Sequence, residues 1–177
     1  MANGAAFDAE GMTLYRAGRF EDAAARFAEA QAAFGAAGNL KAAAEAANNQ
    51  GMAWRQAARW NEAAAAFQEA RRMFQSLANG SGEGQVVGNL AALADSAGDA
   101  GQAAAYYSEA IGLLESAGEH DLAQTTYTAL SRLKLKHGDW LGAIHAFEVG
   151  LAQLEHPTVA QRLARKLLDT PRKLTGG

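Results

Sequence analysis

Apolar residues recur along this chain at two nested intervals. Within short windows they fall at i, i+4 and i+7, as Ala23, Phe27 and Ala30 do, which gathers them on one face of a helix. Over longer distances the same face returns every forty residues. Phe27, Phe67, Tyr107 and Phe147 keep that step without insertion, as do Ala23, Ala63, Ala103 and Ala143, and again Ala30, Ala70, Ala110 and Gly150. Phe20, Trp60 and Trp140 stand at multiples of the same interval. Ahead of these faces lie small triplets: Ala17-Gly18-Arg19, Ala57-Ala58-Arg59, Ala97-Gly98-Asp99 and His137-Gly138-Asp139. Several registers sharing one period mark an array of units that bury their faces by stacking.

Each unit reads as a helix A, a tight turn and a helix B. Gly18, Gly98 and Gly138 suit helix C-termini, where the backbone turns left-handed, and Asp99 and Asp139 suit the N-termini that follow. The spacing predicts helices over 4–17, 21–36, 40–57, 61–78, 83–97, 100–117, 120–137 and 140–155. Small residues at Gly11, Gly51, Ala23 and Ala63 let paired helices approach closely, and the aromatic one turn later is expected to fill the space between adjacent pairs. Asn79-Gly80-Ser81-Gly82 reads as a flexible connector between the second and third units. Near the end, Pro157 suits a first helical position, and Val159, Leu163 and Leu167 form an apolar stripe. The chain thus divides into a single domain over 1–170, with repeats at about 4–39, 40–79, 80–119 and 120–156, a capping helix at 157–169 and a frayed terminus at 170–177.

Composition sharpens this picture. About a quarter of the 177 residues are Ala, the strongest intrinsic helix former, so the 49% hydrophobic content holds few large side chains. Both prolines, Pro157 and Pro171, lie close to the C-terminus, so nothing interrupts helix formation before them. The formal net charge of −3 offers no basic stripe for nucleic acid, and the lack of Cys leaves neither disulfides nor thiolate metal sites. No signal peptide or bilayer-spanning run is legible, so a soluble cytoplasmic protein is expected, away from membranes. In that compartment the Asn79-Gly80-Ser81 glycosylation triplet carries no meaning.

These residues resemble the tetratricopeptide repeat. Phe7, Gly11, Leu14, Ala23, Phe27 and Ala30 fit its pattern in the first unit, and Gly51, Trp54, Ala63, Phe67 and Ala70 in the second. Leu90, Ala91, Ala103, Tyr107 and Ala110 fit in the third, and Tyr127, Leu130, Ala143, Phe147 and Gly150 in the fourth. The forty-residue period exceeds the family's usual thirty-four, which implies longer helices or a longer connector. In this the chain is similar to the long-repeat members, such as Pins-type scaffolds and bacterial Rap-type regulators. Ala94 and Lys134 replace the helix A aromatic in the third and fourth units, which are expected to be less regular. The fold implied is all-α: a right-handed helical solenoid of four such helix-turn-helix repeats plus the C-terminal capping helix.

Signals for chemistry are weak. His120, His137, His145 and His156 form no i, i+4 pair and complete no His-Glu-x-x-His pattern, so no metal is expected. No nucleophile elbow occurs, and Gly80-Ser81-Gly82-Glu83-Gly84 lacks the Lys of a phosphate loop, so neither a cofactor nor an enzymatic activity is expected.

The resemblance instead implies a protein-binding groove lined by helix A. Carried over, that groove presents Asp8, Met12, Tyr15 and Arg16, then Glu45, Asn48, Asn49, Met52, Arg55 and Gln56. Gln85, Asn89 and Asp95 follow from the third unit, and Thr125, Thr128, Arg132 and Lys136 from the fourth. Amides, guanidinium groups, Met and Tyr suit an extended peptide, whose backbone needs polar partners beside shallow apolar contact. A chaperone-type carboxylate clamp is excluded, because Asp8, Met12, Asn49, Gln85 and Asn89 stand where that clamp has Lys, Asn, Asn, Lys and Arg, and Asn49 alone matches. The function expected is a scaffold that binds a protein or extended peptide, the alternative being a peptide-sensing regulator of the long-repeat type. Arg132 and Lys136 make the fourth unit's groove basic, so an acidic stretch of the partner is expected there, with a more neutral part near Asn48 and Asn49.

Overall fold

The computed structural model describes residues 4–152, and among them it consists of helices joined by short turns. The order is α1 (Gly4–Arg16), α2 (Phe20–Ala36), α3 (Leu40–Gln56), α4 (Trp60–Ser76), α5 (Gly80–Ser96), α6 (Ala100–Ser116), α7 (His120–Lys136) and α8 (Trp140–Ala152). Each helix packs on its neighbours in sequence, which makes an all-α solenoid. Odd-numbered helices are the A helices of the repeat, even-numbered ones the B helices. Among the described residues none is long and apolar enough to cross a membrane. The expected capping helix at 157–169 and the terminus at 170–177 lie outside the described residues.

Helix length accounts for the long period. Helices α2 to α7 have 17 residues each. The turns between helices have three, so the forty-residue repeat is two equal halves of twenty. Every turn closes the same way. The Gly18 N–H donates to the Tyr15 carbonyl at 3.1 Å and the Arg19 N–H to the Leu14 carbonyl at 3.0 Å, which satisfies carbonyls that the helix end leaves open. The middle residue of each turn has positive φ: Gly18, Gly38, Ala58, Ala78, Gly98, Gly118 and Gly138. The third residue then starts the next helix. Asn39, Asn79, Asp99 and Asp139 accept from the backbone N–H groups of Ala42, Gly82, Gln102 and Gly142, respectively.

The Asn79-Gly80-Ser81-Gly82 stretch is therefore no connector. Asn79 caps α5, and Gly80, Ser81 and Gly82 form its first turn. Gly82 and the nearby Gly84 answer a packing demand rather than a need for flexibility. A Cβ on Gly82 would lie 2.4 Å from the Phe74 ring, and one on Gly84 would lie 2.7 Å from Cγ of Leu114.

Gly11 and Gly51 serve the same end within their own pairs, where an added Cβ would lie 2.7 Å from the Phe27 ring and 2.6 Å from the Phe67 ring. Glycine in a helix costs about 0.5–1 kcal/mol against Ala, whereas burying a phenyl ring contributes about 1.5–3 kcal/mol, so the packed ring wins. Each ring thus fills its own pair as well as the junction with the next; Phe27 also clusters with Ala53 of α3. The third and fourth units are as regular as the first two. Ala94 packs into the cluster of Ala91, Tyr107 and Leu130, while Lys134 turns outward to pair with Asp139 at 2.8 Å.

Candidate functional site

The A helices do more than pack on their partners: α5 also touches α3 on one side and α7 on the other. Side chains on that side form polar rungs between successive units. Asn49 Nδ2 donates to Asp8 Oδ1 at 3.3 Å, Asn89 Nδ2 to Asn48 Oδ1 at 2.8 Å, and Lys136 Nζ to Asp95 Oδ1 at 2.6 Å. The first two rungs join equivalent positions of successive units, and the third lies about two helical turns further along.

Between the rungs lies a cavity of about 490 Å³. One wall is Asn48, Asn49 and Met52 of α3, and the facing wall is Leu122, Thr125, Thr126 and Ala129 of α7. Its floor crosses α5 at Gly84, Gly88 and Ala92, flanked by Gln85 and Asn89. Because those three residues are small, the B-helix side chains of Tyr107 and Leu114 reach the cavity from behind. A Cβ on Gly88 would meet only Ala110 Cβ, at 4.0 Å, so the space above it is open. The result is an apolar hollow rimmed by amides and hydroxyls, the composition that an extended ligand with one buried side chain requires.

Charge is arranged beside this hollow. The Tyr107 hydroxyl is held above its ordinary range, first by burial and then by Asp95, while Arg55 and Arg132 pull it back. Tyr127, at the α7–α8 contact, is pushed up to about 12 by burial and by its 3.0 Å hydrogen bond to Glu115 Oε1. The first shift belongs to the groove, the second to the packing of α7.

The groove residues expected from sequence fall into three groups. Asn48, Asn49, Met52, Gln85, Asn89 and Thr125 are brought together around the main cavity. Glu45 joins Asn48, Asn49 and Gln85 around an adjoining polar hollow of about 540 Å³, and Met12, Tyr15, Asn49 and Met52 line a small apolar one of about 50 Å³. Asp8, Asp95 and Lys136 are engaged in the rungs. The remaining residues touch none of these hollows. Thr128 bonds within α7 to Gln124, Arg16 and Gln56 are exposed at helix ends, and Arg55 and Arg132 stand one turn beyond the cavity wall. The basic fourth unit expected from sequence is thus half neutralised, because Lys136 pairs with Asp95 of the third. Sequence reasoning missed Tyr107, Leu114, Gly84, Gly88, Ala92, Leu122, Thr126 and Ala129. The legible signal was Gly88, which stands where the other units have Asp8, Asn48 and Thr128.

A separate cleft of about 610 Å³ lies on α1 and α2, lined by Leu14, Glu10, Arg19, Asp22, Arg26 and Glu29 among others. Its charges already satisfy one another: Arg26 with Glu10 at 3.3 Å and Glu29 at 2.7 Å, and Arg19 with Asp22 at 2.7 Å. It spans one unit, whereas the groove cavity joins three.

No protein-family model matches this sequence, and no curated protein is detectably related to it. Solved structures do share its fold. Aspartyl phosphate phosphatase F from Bacillus subtilis superposes with a TM-score of 0.76 at 14% identity, covering 96% of this chain and 43% of its own. BtubC (BKLC) from P. vanneervenii gives 0.72 at 20% identity, with 88% and 66% covered. The Rap conjugation gene regulator of plasmid pLS20, in complex with the Phr* peptide, gives 0.71 at 16% identity, with 95% and 52% covered. This chain therefore spans two-thirds or less of each of these proteins, and at such identities the likeness shows a helical-repeat fold.

Proposed function

We propose that this chain is a long-repeat protein of the tetratricopeptide type that binds an extended peptide or partner segment along its A helices, contributing no chemistry of its own. One observation carries the reading: the 490 Å³ cavity is walled by A helices of three successive units and rimmed by Asn48, Asn49, Gln85 and Asn89. An extended segment exposes backbone N–H and C=O groups on both edges, and carboxamides can donate to one and accept from the other. Met52, Leu114, Leu122 and Ala129 offer an apolar side chain a place out of water. That a protein of the same fold is held in complex with a peptide supports peptide binding here.

Gly88→Leu tests this directly, because a Cβ there meets nothing closer than 4.0 Å and a larger side chain would take up space in the hollow. The variant should melt at or slightly above the parent's temperature, since Leu is the better helix former. A partner captured from native lysate by the parent should be lost or weakened at least tenfold with the variant. Equal capture would place binding on the convex side. Peptide sensing, the second reading, is favoured by the peptide-bound neighbour and predicts that binding alters the curvature of the stack, which small-angle scattering of the free and bound chain would detect.

A further inference from the structure

Met52, Ala92 and Ala129 line the cavity from α3, α5 and α7. Three residues further along each helix stand Arg55, Asp95 and Arg132, and residues at that spacing share a helix face. A positive, a negative and a positive charge therefore stand one turn beyond the hollow on three successive A helices. Asp95 is already satisfied by Lys136 Nζ at 2.6 Å. Neither Arg55 nor Arg132 pairs with a carboxylate among the described residues, although Arg55 is half-buried and its Nε is sealed from solvent without a hydrogen-bond partner. Both guanidinium groups act electrostatically on the Tyr107 hydroxyl, and Tyr107 lines the same cavity. Once Asp95 and Lys136 cancel, two positive charges remain beside a concave apolar surface.

We propose that Arg55 and Arg132 together seat one carboxylate side chain of the bound segment, beside the nonpolar side chain that enters the cavity. This inference rests on the groove reading and adds to it the chemistry of the partner. A guanidinium presents a fixed fork of donors that matches a carboxylate, so an incoming Asp or Glu can be held by the outer N–H groups of Arg55 and Arg132. In an extended segment alternate side chains share a face roughly 7 Å apart, so the acid would stand two positions from the apolar residue. The anionic partner is thereby placed at the boundary of the second, third and fourth units rather than at the basic face expected of the fourth alone.

The test uses two nonapeptide libraries identical but for one position, a central Leu followed two residues later by Glu in one and by Gln in the other. Both are titrated into the full chain, with NMR observing the arginine Nε–H groups and the side-chain amides of Asn48 and Asn89. The Glu library should move the Arg55 and Arg132 signals and bind about tenfold more tightly than the Gln library, with the advantage shrinking as salt rises. In the Arg55→Gln, Arg132→Gln variant that preference should vanish while binding of the Gln library persists. Equal binding of both libraries, with the amide signals moving and the arginine signals still, would overturn the carboxylate seat and leave the groove standing. If neither library moved the Asn48 and Asn89 amides, the groove reading would fall with it.

Discussion

A Cβ on Gly51 would lie 2.6 Å from Cδ1 of Phe67, a ring with no exposed surface and no room to withdraw. Gly51→Ala gains about 0.5–1 kcal/mol in helix propensity and loses about 1–3 kcal/mol to overpacking, so we expect net destabilisation. Gly112 is the control. It lies inside α6 with nothing within 4 Å of its would-be Cβ, so Gly112→Ala should stabilise by about 0.5–1 kcal/mol. Calorimetric melting of the two variants should give shifts of opposite sign; shifts of the same sign would show that the ring does not rest on residue 51. The need for small residues at Gly11 and Gly51 was legible in the sequence, because they precede Phe27 and Phe67 at one fixed interval. The dual part of Tyr107 was not. Its register marks it as a core aromatic, and it is only 8% exposed, yet it reaches the groove because Gly88 and Ala92 leave it uncovered. That depends on side chains from another helix, which periodicity along one helix does not report.

Helix ends show what kind of information a sequence carries well. Gly18, Gly98 and Gly138 announce left-handed turns because glycine alone adopts them without penalty, and the structure has each at positive φ. Ala58 and Ala78 occupy the same position with φ of 57° and 50°, and alanine gives no such warning. Stacking on both sides holds these turns against the local preference, which is why the ends of α3 and α4 had to be inferred from the period. The Gly80-Ser81-Gly82 run misleads in the opposite sense: its local propensity suggests a linker, whereas Phe74 and Leu114 require small residues at the start of α5. Restoring the local preference should therefore help. Ala58→Gly and Ala78→Gly should each stabilise by about 0.5–1 kcal/mol, after allowing for the greater freedom of glycine in the unfolded chain. The two turns flank the 17 residues of α4, roughly 25 Å apart by helical rise, so their effects should add in the double variant. Melting temperatures that fall, or that rise in only one variant, would mean that the alanine methyls make contacts worth more than the backbone strain.

Stacking joins the units into one molecule, and the last described helix presents apolar residues where the earlier ones meet a following unit. Ala24 packs against Ala53 of α3, Ala64 against the cluster holding Val86 and Leu90 of α5, and Ala104 against the one holding Leu130 and Leu133 of α7. The fourth member of this register is Ile144, 45% exposed where the earlier residues meet the following unit. Glu21, likewise, reaches forward to Arg59 at 3.4 Å, but its counterpart on α8 is Leu141, 83% exposed beside Trp140 at 67%. An apolar face of this size exposed to water invites association. Leu163 and Leu167 follow forty residues after Ala123 and Tyr127, positions that face inward on α7, so the segment expected to cap the array carries apolar residues in the register of a further A helix. Deleting residues 157–177 should then lower the melting temperature, by roughly 2–4 °C for each kcal/mol of capping lost, and make the chain self-associate as its concentration rises. Leu163→Asp combined with Leu167→Asp in the full-length chain should reproduce both effects, because it removes the apolar stripe and keeps the length. Sedimentation velocity and calorimetry on the parent, the truncation and the double variant decide the matter: unchanged melting and an unchanged association state in both altered chains would show that the tail leaves Trp140, Leu141 and Ile144 uncovered.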